Sequence, residues 1–342
     1  MAVRVGINGF GRIGRAFVRA GMEVGGIEFV AINDLGELDN LAYLLKYDSV
    51  YGRAKFDVSV EGDTLIAGTQ KIKKLAEKEP TKLPWKDLGV DVVVECTGLF
   101  TEYAKAKMHL DAGAKKVVIS APAKGDPAAA GVTGATVLLG INDEKMKTCQ
   151  ITSNASCTTN AASPLIVILD EAIGIEKAIL NTTHAYTATQ AIVDGTAKDD
   201  WRRGRAGALN MSPSSTGAAK TVALAYEPMK GKFDGIAVRV PVPAGSLADV
   251  TFIAKRSTTV EEVNAALKKA AADPRWQRVF TTSEEQLVSS DIVGSHYGSI
   301  ADLTMTRVVD GNLVKVMAWY DNEMGYTYTL VRHVIESGES LA

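Results

Sequence analysis

The chain is predicted to be α/β, a doubly wound parallel sheet followed by a second α+β domain on a mostly antiparallel sheet. Three observations carry this: a strand, glycine turn and helix at the N-terminus, a second strand–helix–strand passage before residue 120, and a change to longer strand-like runs after Cys157. Val3-Arg4-Val5-Gly6-Ile7 reads as a short buried strand, residues 12–24 as a helix, and residues 27–32 as a strand closing on Asn33-Asp34. Residues 90–95, 103–112 and 116–120 repeat the alternation. Beyond Cys157, the runs 235–240, 248–254 and 312–320 suit antiparallel pairing, with a helix over 260–272 stopped by Asp273-Pro274. A last helix over 325–337 returns to the first domain, so the expected domains are 1–156 plus 322–342, and 157–321. Residues 125–134 and 194–215 read as loops, the second too polar and basic to be mere filler.

Composition narrows the function. At 342 residues and 46% hydrophobic content the chain can bury a substantial core, and a net charge of −2 offers no basic field for nucleic acid or an anionic membrane. The three cysteines, Cys96, Cys149 and Cys157, make neither a disulfide framework nor a metal-ligand spacing, so no metal is expected. No leader pattern opens the sequence, and no apolar run approaches the roughly 20 residues that cross a bilayer. A soluble, cytoplasmic protein is the expectation.

Gly9-Phe10-Gly11-Arg12-Ile13-Gly14 is G-x-G-x-x-G between a strand and a helix, with Asp34 about twenty residues on, at the next strand's end. Gly9, Gly11 and Gly14 let the backbone turn tightly and approach a pyrophosphate, and the helix start supplies N–H donors. Asp34 would bond both hydroxyls of an adenosine ribose and repel a 2′-phosphate. With strand, helix and acid all in place, the pattern marks a Rossmann-type site for NAD rather than a turn serving packing alone, and NAD is favoured over NADP.

Ser153-Asn154-Ala155-Ser156-Cys157-Thr158-Thr159-Asn160 places one thiol among small hydroxyl residues directly before the apolar, helix-like segment 161–173. At a helix N-terminus, unpaired amides and the macrodipole favour thiolate, and the same amides can hold an oxyanion or phosphate. Of four histidines, His109, His296 and His333 read as surface residues, whereas His184 ends the apolar strand Ala178-Ile179-Leu180 and suits a base for Cys157. Cys96 and Cys149 read as small buried or half-buried thiols. A dinucleotide fold with a thiol nucleophile points to aldehyde oxidation through a thioester. Ser214-Ser215-Thr216-Gly217-Ala218-Ala219-Lys220, Thr187, Arg205 and Arg239 supply donors suited to discharging that thioester to phosphate.

Together the glycine turn, residues 153–160, His184 through Gln190, Ser215 through Lys220 and Trp319-Tyr320-Asp321-Asn322-Glu323 resemble phosphorylating glyceraldehyde-3-phosphate dehydrogenases nearly end to end. The resemblance implies that Cys157 forms a hemithioacetal and thioester with His184 as base. It also implies that Arg12, Ile13, Asp34, Lys78, Ser120 and Asn322 contact NAD, Asn322 orienting the nicotinamide amide. By the same likeness Thr187 and Arg239 hold the substrate's phosphate, while Ser156, Thr158, Thr216, Gly217 and Arg205 serve the inorganic phosphate that attacks or the phosphate-bearing end during turnover. A homotetramer is implied, with residues 194–215 across a subunit contact. The expected substrates are glyceraldehyde 3-phosphate and phosphate.

The chain departs from that pattern at several places. Ala161 stands where a second cysteine is common, Met324 where tryptophan is usual, Tyr328 where asparagine is usual, and Lys78 where arginine is frequent. The loop at Val193-Asp194-Gly195-Thr196 is longer by two residues, and residues 126–134 are also extended. Two rival readings stand beside the main one. An erythrose-4-phosphate dehydrogenase discharges its thioester to water and lacks the His-x-Tyr-Thr and Ser-Thr-Gly elements, present here as His184-Ala185-Tyr186-Thr187 and Ser215-Thr216-Gly217. A non-catalytic binding protein on the dinucleotide fold would want a basic stripe or aromatic platform, which the sequence lacks.

Overall fold

The computed structural model describes residues 2–341. The chain divides into two compact units, one formed by residues up to 137, 142–155 and 327 onward, the other by 138–141 and 156–326. Residues 322–326 thus fall with the second unit. The reason is local: the Asp321 carboxylate accepts the amides of Glu323, Met324 and Gly294, tying that turn to its own unit.

The first unit is built on a nine-stranded sheet, in the order Gly134–Thr136, Ile151–Ser153, Lys116–Ile119, Val92–Glu95, Val3–Asn8, Ile27–Asn33, Gln70–Leu75, Thr64–Ala67, Val58–Glu61. Pairing is parallel as far as Gln70–Leu75, and the last two strands join as antiparallel edges. Every residue of Val92–Glu95 and Lys116–Ile119 is buried, as parallel strands covered on both faces require. The expected helix over 12–24 is present as Arg12–Val24 and that over 103–112 as Tyr103–Asp111. The glycine turn joins Val3–Asn8 to Arg12–Val24. Gly9 has φ +94, and a Cβ on it would stand 2.7 Å from the Thr97 amide nitrogen, so no other residue fits.

Two imidazoles expected at the surface are fully buried in this unit. His109 lies on the inner face of Tyr103–Asp111, in line with buried Tyr103 and Ala106, because three-residue spacing returns to one helix face. His333 is held in the last helix, Met324–Glu339, by the Thr152 hydroxyl, 2.8 Å from Nε2, and by Asn154 Oδ1, 3.1 Å from Nδ1. These partners are distant in sequence, which is why neither burial shows in local pattern.

The second unit carries a seven-stranded sheet in the order Ser212–Ser215, Phe233–Val240, Ile175–Ala185, Ser246–Ala254, Leu313–Tyr320, Ser299–Val309, Phe280–Ser283. Four of its pairings are antiparallel. One face is covered by the helix Cys157–Ile173, which starts at the cysteine itself and is buried along most of its length, with helices Ala218–Ala225 and Val260–Ala271 beside it. Ser246–Ala254 alternates buried and half-buried residues, the period of a strand with one covered face. The opposite face leaves Ile179, Ile236 and Leu313 exposed.

Burial drives the His333 imidazole down to about 3, against about 6.5 in an unfolded chain. The unfolded state then takes the proton first, so this contribution is full above about pH 6.5 and is lost as pH falls toward 3. His333→Gln should flatten the acid side of the stability profile, read by urea unfolding at pH 7 and pH 5; an unchanged slope would show that His333 does not set it.

Candidate active site

The helix Cys157–Ile173 begins where Ser156 takes extended backbone angles and its hydroxyl accepts the Thr159 amide at 3.1 Å. That is an N-cap, and it makes Cys157 the first helical residue, with its own amide and that of Thr158 on the positive end of the helix. The Thr158 hydroxyl meets the Tyr320 hydroxyl at 2.8 Å, and Tyr320 meets Thr182 at 2.8 Å, pinning the first turn to two strands of the sheet.

His184 comes from Ile175–Ala185 and presents Nε2 3.3 Å from Cys157 Sγ. Its Nδ1 is 2.7 Å from the Ala185 carbonyl oxygen and 2.6 Å from Arg239 Nη1. Arg239 arrives there by register, since His184 and Arg239 are paired on adjacent parallel strands. The Tyr320 ring stands edge-on to the imidazole, centroids 5.9 Å apart.

The electrostatics of the free site are a contest. Burial pushes the half-buried Cys157 thiol up, opposing the Arg239 charge and the amides of Thr158 and Cys157, which favour thiolate. Burial and the Arg239 charge together drive His184 down to about 3, although its bond to the Ala185 carbonyl works the other way. Burial thus works against the thiolate that the helix end, its amides and Arg239 favour.

The structure brings other predicted anion donors to the same sheet edge. Ser212–Ser215 lies alongside Phe233–Val240, pairing Ser212 with Arg239, and leads into Thr216 and Gly217 at the start of helix Ala218–Ala225. The Thr216 hydroxyl accepts the Ala218 amide. Thr187, half-buried, shares a hydrogen bond with Thr189 at 2.9 Å. Arg205 is exposed and paired with Asp194 at 2.8 Å. Among the described arginines of that loop it is Arg203 whose charge bears on Arg239, and it donates to Ser214 Oγ at 3.2 Å. The run Arg202-Arg203-Gly204-Arg205 does not show in sequence which guanidinium turns inward, and the place of Tyr320 beside His184 is not legible there because its partners lie far along the chain.

In the first unit, the glycine turn fits a dinucleotide. A Cβ on Gly14 would overlap the Gly9 carbonyl, so that position is closed packing, but a Cβ on Gly11 would meet nothing within 4 Å. Gly11 caps Arg12–Val24 without a side-chain bond, and the first turn holds no acid, which leaves room and donors for a phosphate. Asp34 accepts the amides of Phe10 and Gly36, one on each oxygen, and stays half-buried with lone pairs to spare for hydroxyls. Arg12 pairs with Asp48 at 3.1 Å, Ile13 is half-buried beside it, Ser120 donates its hydroxyl to the Glu95 carbonyl, and Lys78 is exposed. Asn322, in the second unit, accepts from Ser246 Oγ through Oδ1, leaving its amide hydrogens for another acceptor.

A parallel sheet with an open glycine turn, in one chain with a sulfur held against an imidazole, fits a dinucleotide-dependent oxidoreductase. Family models bear directly on this: "Glyceraldehyde 3-phosphate dehydrogenase, NAD binding domain" matches residues 3–103, and the C-terminal domain of the same family matches residues 156–322. The chain belongs to the glyceraldehyde-3-phosphate dehydrogenase family. It is 52% identical over 349 aligned residues to the glyceraldehyde-3-phosphate dehydrogenase of Mycobacterium avium, covering all of both chains. It is 47% identical to that of Streptomyces coelicolor, again over the whole of both, and 48% identical to that of Clostridium pasteurianum over 96% of each.

Two outcomes follow from the geometry. Ser156→Ala removes the cap and should lower stability by about 1 kcal/mol in urea unfolding. Arg239→Gln removes a charge that favours thiolate, so the pH midpoint for alkylation of Cys157 by iodoacetamide should move upward; a downward move would show that Arg239 acts mainly through His184.

Proposed function

We propose that the protein oxidises D-glyceraldehyde 3-phosphate with NAD and inorganic phosphate to 1,3-bisphosphoglycerate. The observation that carries the reading is the 3.3 Å approach of His184 Nε2 to Cys157 Sγ at a capped helix start. In this reading the sulfur adds to the aldehyde carbon as its proton passes to the carbonyl oxygen, giving a thiohemiacetal. The amides of Cys157 and Thr158 steady the charge on oxygen in the transition state. His184 Nε2 then takes the hydroxyl proton while the carbon gives up its hydride, and a thioester remains on Cys157. Bound NAD supplies the hydride acceptor. Phosphate attacks the thioester carbon, the C–S bond breaks, the acyl phosphate departs as product, and the proton held on His184 Nε2 returns to the sulfur.

Arg239 and Thr187 hold the substrate's own phosphate; Ser156, Thr158, Thr216 and Gly217 hold the attacking one, with Arg205 as a further donor on release from Asp194. Gly9, Gly11, Arg12, Ile13, Gly14, Asp34, Lys78, Ser120 and Asn322 hold NAD, and the Asp34 carboxylate turns away a 2′-phosphate. A homotetramer is proposed as well. It is supported by exposed Ile192, Trp201 and Leu209 in one loop and by exposed Ile179, Ile236 and Leu313 on one face of the second sheet. Among the described residues no helix is long and apolar enough to cross a membrane.

Cys157→Ser should abolish NADH formation while NAD still binds by calorimetry. His184→Asn should lower kcat by roughly 10²–10⁴-fold, and full activity in it would remove the base. Turnover of glyceraldehyde 3-phosphate should need phosphate: sustained hydrolysis without it would favour the erythrose-4-phosphate type of chemistry. NADP in place of NAD should be a poor substrate.

A further inference from the structure

We infer that Glu95 and His109 are positioning residues for the dinucleotide, anchoring a buried hydrogen-bond chain that sets the loops around it; this rests on the NAD reading above. Glu95 ends the strand Val92–Glu95 and is 1% exposed. Its carboxylate accepts from Asn8 Nδ2 at 2.6 Å, His109 Nε2 at 3.1 Å, the Thr97 amide at 2.7 Å and the Thr97 hydroxyl. The proton on His109 is fixed by its other neighbour. Trp85 Nε1 can only donate, and it lies 3.1 Å from Nδ1, so the ring accepts there and donates from Nε2 to Glu95.

The chain continues away from the imidazole. Asn8 Oδ1 accepts from Asn33 Nδ2 at 2.7 Å, and Asn33 exchanges two bonds of 2.8 Å with the backbone of Glu77. Each of these residues immediately precedes a proposed cofactor ligand: Asn8 precedes Gly9, Asn33 precedes Asp34, and Glu77 precedes Lys78. The backbone oxygen of Glu95 also accepts both the amide and the hydroxyl of Ser120. The Thr97 amide held by Glu95 is the very group against which the Gly9 turn is packed.

One carboxylate therefore registers four loop segments at the C-terminal ends of adjacent parallel strands, where open α/β sheets bind their ligands. Burying a charge is a poor way to gain stability, since apolar side chains of like volume generally serve as well. A charge with four donors fixes direction, and direction is what a pyrophosphate-binding turn requires. His109 has no part in the proposed chemistry and no solvent contact, so holding Glu95 is the task its position assigns.

The test is NAD titration by calorimetry, with steady-state kinetics, on the full-length enzyme. Glu95→Gln sets an amide group against the donors of Asn8 or Thr97, and should raise the NAD dissociation constant and the KM for NAD about tenfold or more. The kcat at saturating NAD should stay within about twofold, and iodoacetamide alkylation of Cys157 without cofactor should be unchanged. His109→Ala should show the same split, and His109→Gln, which keeps a donor for Glu95, should restore most of the affinity; this pair decides the matter if Glu95→Gln does not fold. Variants that melt earlier yet bind NAD as the wild type does would reduce the network to core packing and overturn the inference alone. A wild-type protein that takes up no NAD would overturn the cofactor reading along with it.

Discussion

The second unit turns on one constraint: the helix Cys157–Ile173 must be buried along its length while its first residue stays open to chemistry. Ser156 reconciles the two. By accepting the Thr159 amide it closes part of the helix end, and it leaves the amides next to the sulfur facing the site. Tyr320 then fixes the first turn against the sheet from which His184 projects, so the sulfur–imidazole distance is set by core packing rather than by a mobile loop. The Arg239 contact is a consequence of the same packing, because strand register alone puts that guanidinium beside the ring.

The first unit solves a related problem in a different way. Its glycine turn needs backbone held open with no side chain to hold it, and Gly9 sits in the left-handed region to make that possible. The rigidity comes from underneath, from side chains at strand ends that bond to loop backbone. In both units the polar groups that matter lie at the ends of buried strands, where the sheet supplies rigidity and the loops supply reach.

Much of this was legible in sequence because the signals were local. The glycine turn, the alternation of the first half and the thiol before an apolar helix each occupy one short segment, and the placement of Arg12–Val24 agrees with its pattern to the residue. What stayed hidden depends on partners far apart in the chain. His109 and His333 sit in helices that read as polar or terminal, and only the arrival of Trp85 and Glu95, or of Thr152 and Asn154, buries them. The spacing of Tyr103, Ala106 and His109 was the one available hint, a helical face that returns every three residues. The opposing pull of burial on Cys157 stayed hidden for a similar cause: dipole and neighbours can be read from a motif, but desolvation needs the surrounding fold.

Arg239 faces sulfur and imidazole at once, helping one and hindering the other. Should it carry the substrate's anion, arrival of a doubly charged ester would quench its field at the moment the carbonyl is delivered, and the imidazole would become a stronger proton acceptor only when the correct aldehyde is present. Recognition of the remote end of the molecule would thereby be converted into basicity at the reacting end. An aldehyde shorn of its phosphate would then be slow even at concentrations that fill the site.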